Sequence, residues 1–83
     1  MEKIRIIGIR VTPEVQDAVQ IQNILTMYGN IIRTRLGLNE ETDDRGNRYG
    51  IILLELSGDP EQFDALQERL LKIHGLSVQS MEF

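Results

Sequence analysis

The chain has 83 residues, 41% of them apolar and 27% charged, with a net charge of −4 and no cysteine. That length fits one domain over residues 1–83 with a thin stability margin, because a domain of this size buries only ~60% of its unfolded surface. The composition excludes a disulfide scaffold and a thiolate metal site, and the negative balance argues against direct nucleic-acid binding, which needs clustered Lys and Arg.

The first element in chain order is Lys3 to Val11, "KIRIIGIRV", which reads as a strand followed by Thr12-Pro13. It is apolar on both parities, with Ile4 and Ile6 on one and Ile7, Ile9 and Val11 on the other. Such a strand belongs in the middle of a sheet, covered twice. No long apolar run precedes it, so neither a signal peptide nor a membrane span is expected, and the protein reads as cytoplasmic.

A helix is expected from Pro13 to Tyr28. Thr12 would cap it and Pro13 would take its first position, with Glu14 and Asp17 in or near the first turn. Val15, Ala18, Val19, Ile21, Leu25 and Tyr28 would form its apolar stripe. Gly29 would end it as a left-handed cap. A strand follows, with Ile32, Thr34, Leu36 and Leu38 on one parity and Ile31, Arg33 and Arg35 on the other. Asn39 to Arg48 is a polar loop with four acidic residues.

Tyr49 to Ser57, "YGIILLELS", is a second strand that is apolar on both faces. Asp59-Pro60 then reads as the cap and first position of a helix whose core stripe is Phe63, Leu66, Leu70 and Ile73, ended by Gly75. Leu76 to Phe83 is a last, edge strand. The order βαββαβ gives an α+β fold of the ferredoxin-like kind, a four-stranded antiparallel sheet with two helices on one face. The other face of the sheet would carry apolar side chains without cover. A patch of that kind marks an interface or a groove, so a homo-oligomer (dimer or tetramer) assembled through the sheet is expected.

Catalytic chemistry is poorly represented. His74, beside Gly75, reads as a surface residue compatible with a helix C-terminus. No Ser-His-carboxylate set, phosphate loop or cofactor motif is present. One histidine and no cysteine do not make a transition-metal site within one chain, and Glu40, Glu41, Asp43 and Asp44 lack the alternating oxygen ligands of a calcium loop. No metal or cofactor is therefore expected. The Thr12-Pro13 turn offers backbone N–H groups to an anion, against plain capping. Arg33 and Arg35 fit either a clamp on a carboxylate or phosphate or the protection of a sheet edge.

"IIGIRV", a helix running into "YGNIIRTRLGL", "YGIILLEL" and "LQERLLKIHGLSVQSM" together resemble the iron-only hydrogenase system regulators, small stand-alone ACT-like proteins. The block "YGNIIRTRLG" followed by "IHGLSVQS" carries most of the likeness, which spans nearly the whole chain. The resemblance implies an ACT-type domain that assembles through its sheet and has a regulatory role, possible links to transcription included, without a DNA-binding segment of its own. It also implies a fold similar to the ligand-binding half of nickel-responsive regulators, whose histidine and cysteine ligands are missing here. Small ligands of ACT-like domains often sit near the first strand–helix turn at a subunit boundary. That placement implies Arg10, Val11, Thr12, Glu14 and Asn30 as ligand-binding positions. The expectation is a non-enzymatic, ligand-sensing regulator. The rivals are a small enzyme or metal-handling subunit with a site between subunits, and a protein-interaction adaptor.

Overall fold

The computed structural model describes residues 2–16, 18–42, 44–46 and 48–83, with the side chains of 39, 40 and 48 set aside. Asp17, Asp43 and the Glu40 side chain, three of the acidic groups singled out above, lie outside the described residues. The elements are β1 (Ile4–Val11), α1 (Ala18–Met27), β2 (Ile32–Thr42), β3 (Arg48–Ser57), α2 (Pro60–Leu71) and β4 (Leu76–Glu82). The strands form one antiparallel sheet in the order β2-β3-β1-β4. The two strands that are apolar on both parities, β1 and β3, are its central pair.

The register separates the faces. Ile7 lies opposite Leu54 and Ile9 opposite Ile52 on one face, while Ile6 opposite Glu55, Gly8 opposite Leu53 and Arg10 opposite Ile51 make the other. The first face meets the helices. Ile7, Ile9, Leu54, Leu56, Phe63, Leu66 and Leu70 are at or within 1% of complete burial there, joined by Ile21, Ile24, Leu25 and Ile31. Among the described residues no helix lies on the second face.

The second helix follows its sequence signals. Asp59 accepts a hydrogen bond from the Glu61 N–H at 3.0 Å, and Pro60 opens the helix, which satisfies an otherwise orphaned donor at no cost to the proline. Ile73 is buried but lies past the helix, in a turn that Gly75 completes with φ of 93°.

The first helix departs from expectation at both ends. It begins at Ala18, not Pro13. The Thr12 carbonyl accepts from the Val15 N–H at 3.1 Å, and the Thr12 hydroxyl donates to the Gly75 carbonyl at 2.8 Å. The segment thus closes as a tight turn pinned to the β4 approach. A Cβ on Gly75 would sit 2.8 Å from the Val15 nitrogen, so only glycine lets the two backbones come this close. Val15 is buried by this turn, outside the helix. The helical stripe is Ile21, Ile24 and Leu25, and Val19 is 64% exposed. At the far end Gly29 has no left-handed conformation. The helix unwinds through successive three-residue turns, Gly29 to Thr26, Ile31 to Tyr28 and Ile32 to Gly29, which satisfy its last carbonyls without a left-handed cap.

The register of β2 also corrects the sequence reading. Ile32 pairs with Leu56, but Thr34 pairs with Glu55, so a bulge falls between them. The extra residue reverses the parity. Ile32 packs against the core, whereas Thr34, Leu36 and Leu38 lie on the helix-free face and Arg35 and Gly37 on the helix side. Arg33 and Arg35 therefore do not act as a pair from one face. The polar loop is also shorter than expected, since β2 runs to Thr42 and β3 starts at Arg48, with a second register shift between Leu38 and Glu41.

Candidate functional site

The described surface is indented where the end of β1, the start of β3, the middle of β2 and the first turns of α1 converge. A half-open cavity of about 120 Å³ lies there, lined by Val11, Ala18, Ile21, Gln22, Arg35, Tyr49, Gly50, Ile51 and Ile52. Its floor is apolar because the strand period brings Val11 and Ile52 to the helix side, where Ile21 of α1 descends toward them. Its rim is polar through Gln22, Tyr49 and Arg35. The β2 bulge puts Arg35 there, since its reversed parity turns that side chain toward α1. No hydrogen bond or ion pair engages Arg35 among the described residues. Tyr49 donates its hydroxyl proton to Glu41.

A shallower groove adjoins the cavity and shares Val11, Tyr49, Gly50 and Ile51 with it, adding Arg10, Thr12, Pro13 and Glu41. Arg10 reaches this groove from the helix-free face, where it is exposed. Four of the expected ligand positions, Arg10, Val11, Thr12 and Arg35, thus border one continuous depression. Glu14 lies on the other side of the Thr12 turn, where its carboxylate is 3.3 Å from His74 Nε2, both side chains being largely exposed. Asn30 and Arg33 are at the opposite end of the molecule. The α1 helix runs back along β1 and delivers its C-terminal end to the α2 start, where Asn30 donates to Gln62 at 3.2 Å. Arg33 is 3.9 Å from Glu2, which precedes β1.

Sequence reasoning missed Tyr49 and Gly50 as site residues, along with Ala18 and Gln22. It also missed Arg5, which shares the parity of Ile7, Ile9 and Val11 and so was visible as a charge on a core-facing row. Arg5 is 11% exposed. Its guanidinium donates to Asp64 at 2.8 Å, to Gln67 at 3.2 Å and to Glu82, and lies 5.4 Å from the Phe63 ring centre. Burial works to lower the Arg5 pKa but is outweighed by the hydrogen bonds and negative charge of Glu82 and Asp64, which raise it above the usual arginine value. With four of its five N–H donors engaged, Arg5 is a clamp between β1, β4 and α2.

Among the described residues no group of three or more His, Cys, Asp or Glu gathers to hold a metal ion, and no helix is long and apolar enough to cross a membrane.

Comparison with known proteins adds a family. Residues 3–80 match the family described as "TM1266-like: Iron-only hydrogenase system regulator, putative". Among solved structures, the uncharacterized protein TM1266 from Thermotoga maritima is similar over 100% of this chain and 99% of its own, with a TM-score of 0.79 and 24% identity. LarC2, titled the C-terminal domain of a cyclometallase involved in the synthesis of the NPN cofactor of lactate racemase, is similar over 98% of this chain and 56% of its own, with a TM-score of 0.49 and 10% identity. No curated protein sequence matches the chain.

Proposed function

We infer, from the premise that the chain belongs to the TM1266-like family of iron-only hydrogenase system regulators, that it is a cytoplasmic regulatory module and not an enzyme. It would act by assembling with a second copy of itself and by changing that assembly when a small ligand binds. A ferredoxin-like, ACT-type frame is consistent with the βαββαβ order and the strand order β2-β3-β1-β4.

The observation that carries this reading is the helix-free face of the sheet. Ile4, Ile6, Leu38 and Leu53 are only half-buried there, and Leu36, Ile51 and Met81 are 52%, 37% and 60% exposed. Burying one such side chain is worth roughly 1.5–3 kcal/mol at most. Several together are a large share of the ~5–15 kcal/mol that stabilises a domain. A second copy fits because the face is self-complementary in charge. Arg10 and Glu55 belong to pairs that lie two positions to either side of the Gly8–Leu53 pair. A two-fold axis across that middle pair would bring the Arg10 row of one copy over the Glu55 row of the other, as an isologous interface requires.

A ligand at the Arg10–Tyr49 groove would sit at the border of this face, and would act only through a difference in affinity for the two assembly states. Any role in transcription would then pass through a separate DNA-binding partner, since a net charge of −4 disfavours direct binding.

Light scattering on a sizing column tests the reading. A mass of twice the 9.5 kDa chain or a higher multiple, reduced to that of one chain by Leu53→Asp, supports it. A single-chain mass at every micromolar concentration overturns it.

A further inference from the structure

We propose that the cavity beside α1 binds a small monocarboxylate with a branched apolar body, anchored by Arg35, and that it selects against the corresponding α-amino acid. This rests on the ligand-sensing part of the function above and names the chemical class that the site would take.

Three features converge. The cavity is small, about 120 Å³ against the ~300–1,000 Å³ of a usual ligand pocket, so it suits one compact group of a ligand. Its floor, Val11, Ile21 and Ile52, is aliphatic, which rewards a compact hydrocarbon group and offers nothing to a hydroxylated one. Its rim carries Arg35, an unpartnered guanidinium among the described residues, and the fork of that group matches a carboxylate. Gln22 stands on the same rim as a second donor.

What the lining lacks gives the selectivity. Among the described residues no Asp or Glu side chain lines the cavity. Glu41 borders only the neighbouring groove, where it accepts the Tyr49 hydroxyl. An ammonium group on the ligand would therefore enter next to Arg35 with no counter-charge from the described lining, and would be desolvated without compensation.

The test is a titration of the 15N-labelled full chain with 3-methylbutanoate, 3-methylbutan-1-ol and leucine, followed by amide shifts. Saturable shifts at Gly50, Ile51 and Ile52 with 3-methylbutanoate are expected. The alcohol and leucine should bind at least about tenfold more weakly, the loss expected when a charged hydrogen bond is removed or an unpaired charge is added. Arg35→Gln should abolish the preference for the acid over the alcohol. Ala18→Leu, which fills the cavity with a good helix former, should abolish binding of both. Absence of saturable shifts with the acid, equal binding of leucine, or unchanged acid binding in Arg35→Gln would each overturn the proposal. The cavity shares Ile51 with the helix-free face, so the mass of the species is measured on the same sample and the two results are read separately. Acid binding by a single-chain species refutes the assembly reading and leaves this one standing, whereas an intact dimer that ignores all three probes does the reverse.

Discussion

The two faces of the sheet are built from the same strands and nearly the same residue types, yet they have opposite fates. Leu54 and Leu53 are neighbours in β3. Leu54 is fully buried under the helices, while Leu53 is half-buried and leans over Gly8, whose hypothetical Cβ it would approach at 3.6 Å. The helix-covered face is completed by this chain alone. The other holds comparable apolar side chains with only strand twist and each other for shelter. Apolar content therefore does not say which face is the core; the connections do, because both helices return to one side. What remains on the other side is surface available for a use other than folding.

Substitution at the two leucines tests the contrast most severely. Leu54→Ala should lower unfolding stability by about 2–5 kcal/mol, through lost transfer energy and an unfilled cavity. Leu53→Ala, measured in dilute solution, should cost less than about 1 kcal/mol, because water already reaches that site. Urea denaturation followed by circular dichroism measures both. Equal losses in dilute solution would mean that the faces are not distinct in the isolated chain.

The next largest effect probes how the covered side is sealed at its end. Gly75→Ala should cost roughly 2–3 kcal/mol, from a left-handed φ of 93° and from a Cβ forced within 2.8 Å of the Val15 nitrogen. The Thr12–Val15 turn would have to move away, and Thr12 would lose its bond to the Gly75 carbonyl. Retention of wild-type stability would show that this close approach is not a constraint. A smaller loss, about 1 kcal/mol, is expected for Arg5→Met, which keeps the apolar stem. Its partners Asp64 and Glu82 are 70% and 53% exposed, so each can return to water when the guanidinium is gone. Because the Arg5 pKa is raised, its pairing is fully present below the usual arginine value and is lost only as pH climbs past the higher folded one. The Arg5→Met loss should accordingly be the same at pH 6 and pH 9.

Much of this architecture was legible in the residues, and the failures have identifiable causes. The two parities of β1 and β3 were readable because a strand's period is two, and α2 because Asp59-Pro60 and the Phe63 to Leu70 spacing agree with each other. The start of α1 was not, because Thr-Pro serves equally to cap a helix and to close a turn. What decides is the hydrogen bond to Gly75, 63 positions away. The β2 bulge leaves no mark in composition, yet it moves Leu36 to the helix-free face and Arg35 to the cavity. The candidate site was legible in part for the same reason. Val11 and Thr12 follow from the first strand–helix turn, whereas Tyr49 and Gly50 reach the site only through the pairing of β3 with β1, and Asn30 leaves it because α1 carries it to the far end.

The mildest substitution sharpens the comparison furthest. Leu36 is 52% exposed on the helix-free face, across from Leu53. Leu36→Gln should change the stability of an isolated chain by no more than about 0.5 kcal/mol, as is usual for a surface position. If a second copy covers that face, the wild-type melting temperature rises with protein concentration, because association stabilises the folded state by mass action. The substitution should flatten this dependence, while Leu54→Ala lowers the whole curve without flattening it to the same degree. Differential scanning fluorimetry across a dilution series separates the two patterns. A wild-type melting temperature that ignores concentration would leave the exposed leucine and isoleucine side chains as a cost that the folded chain bears by itself.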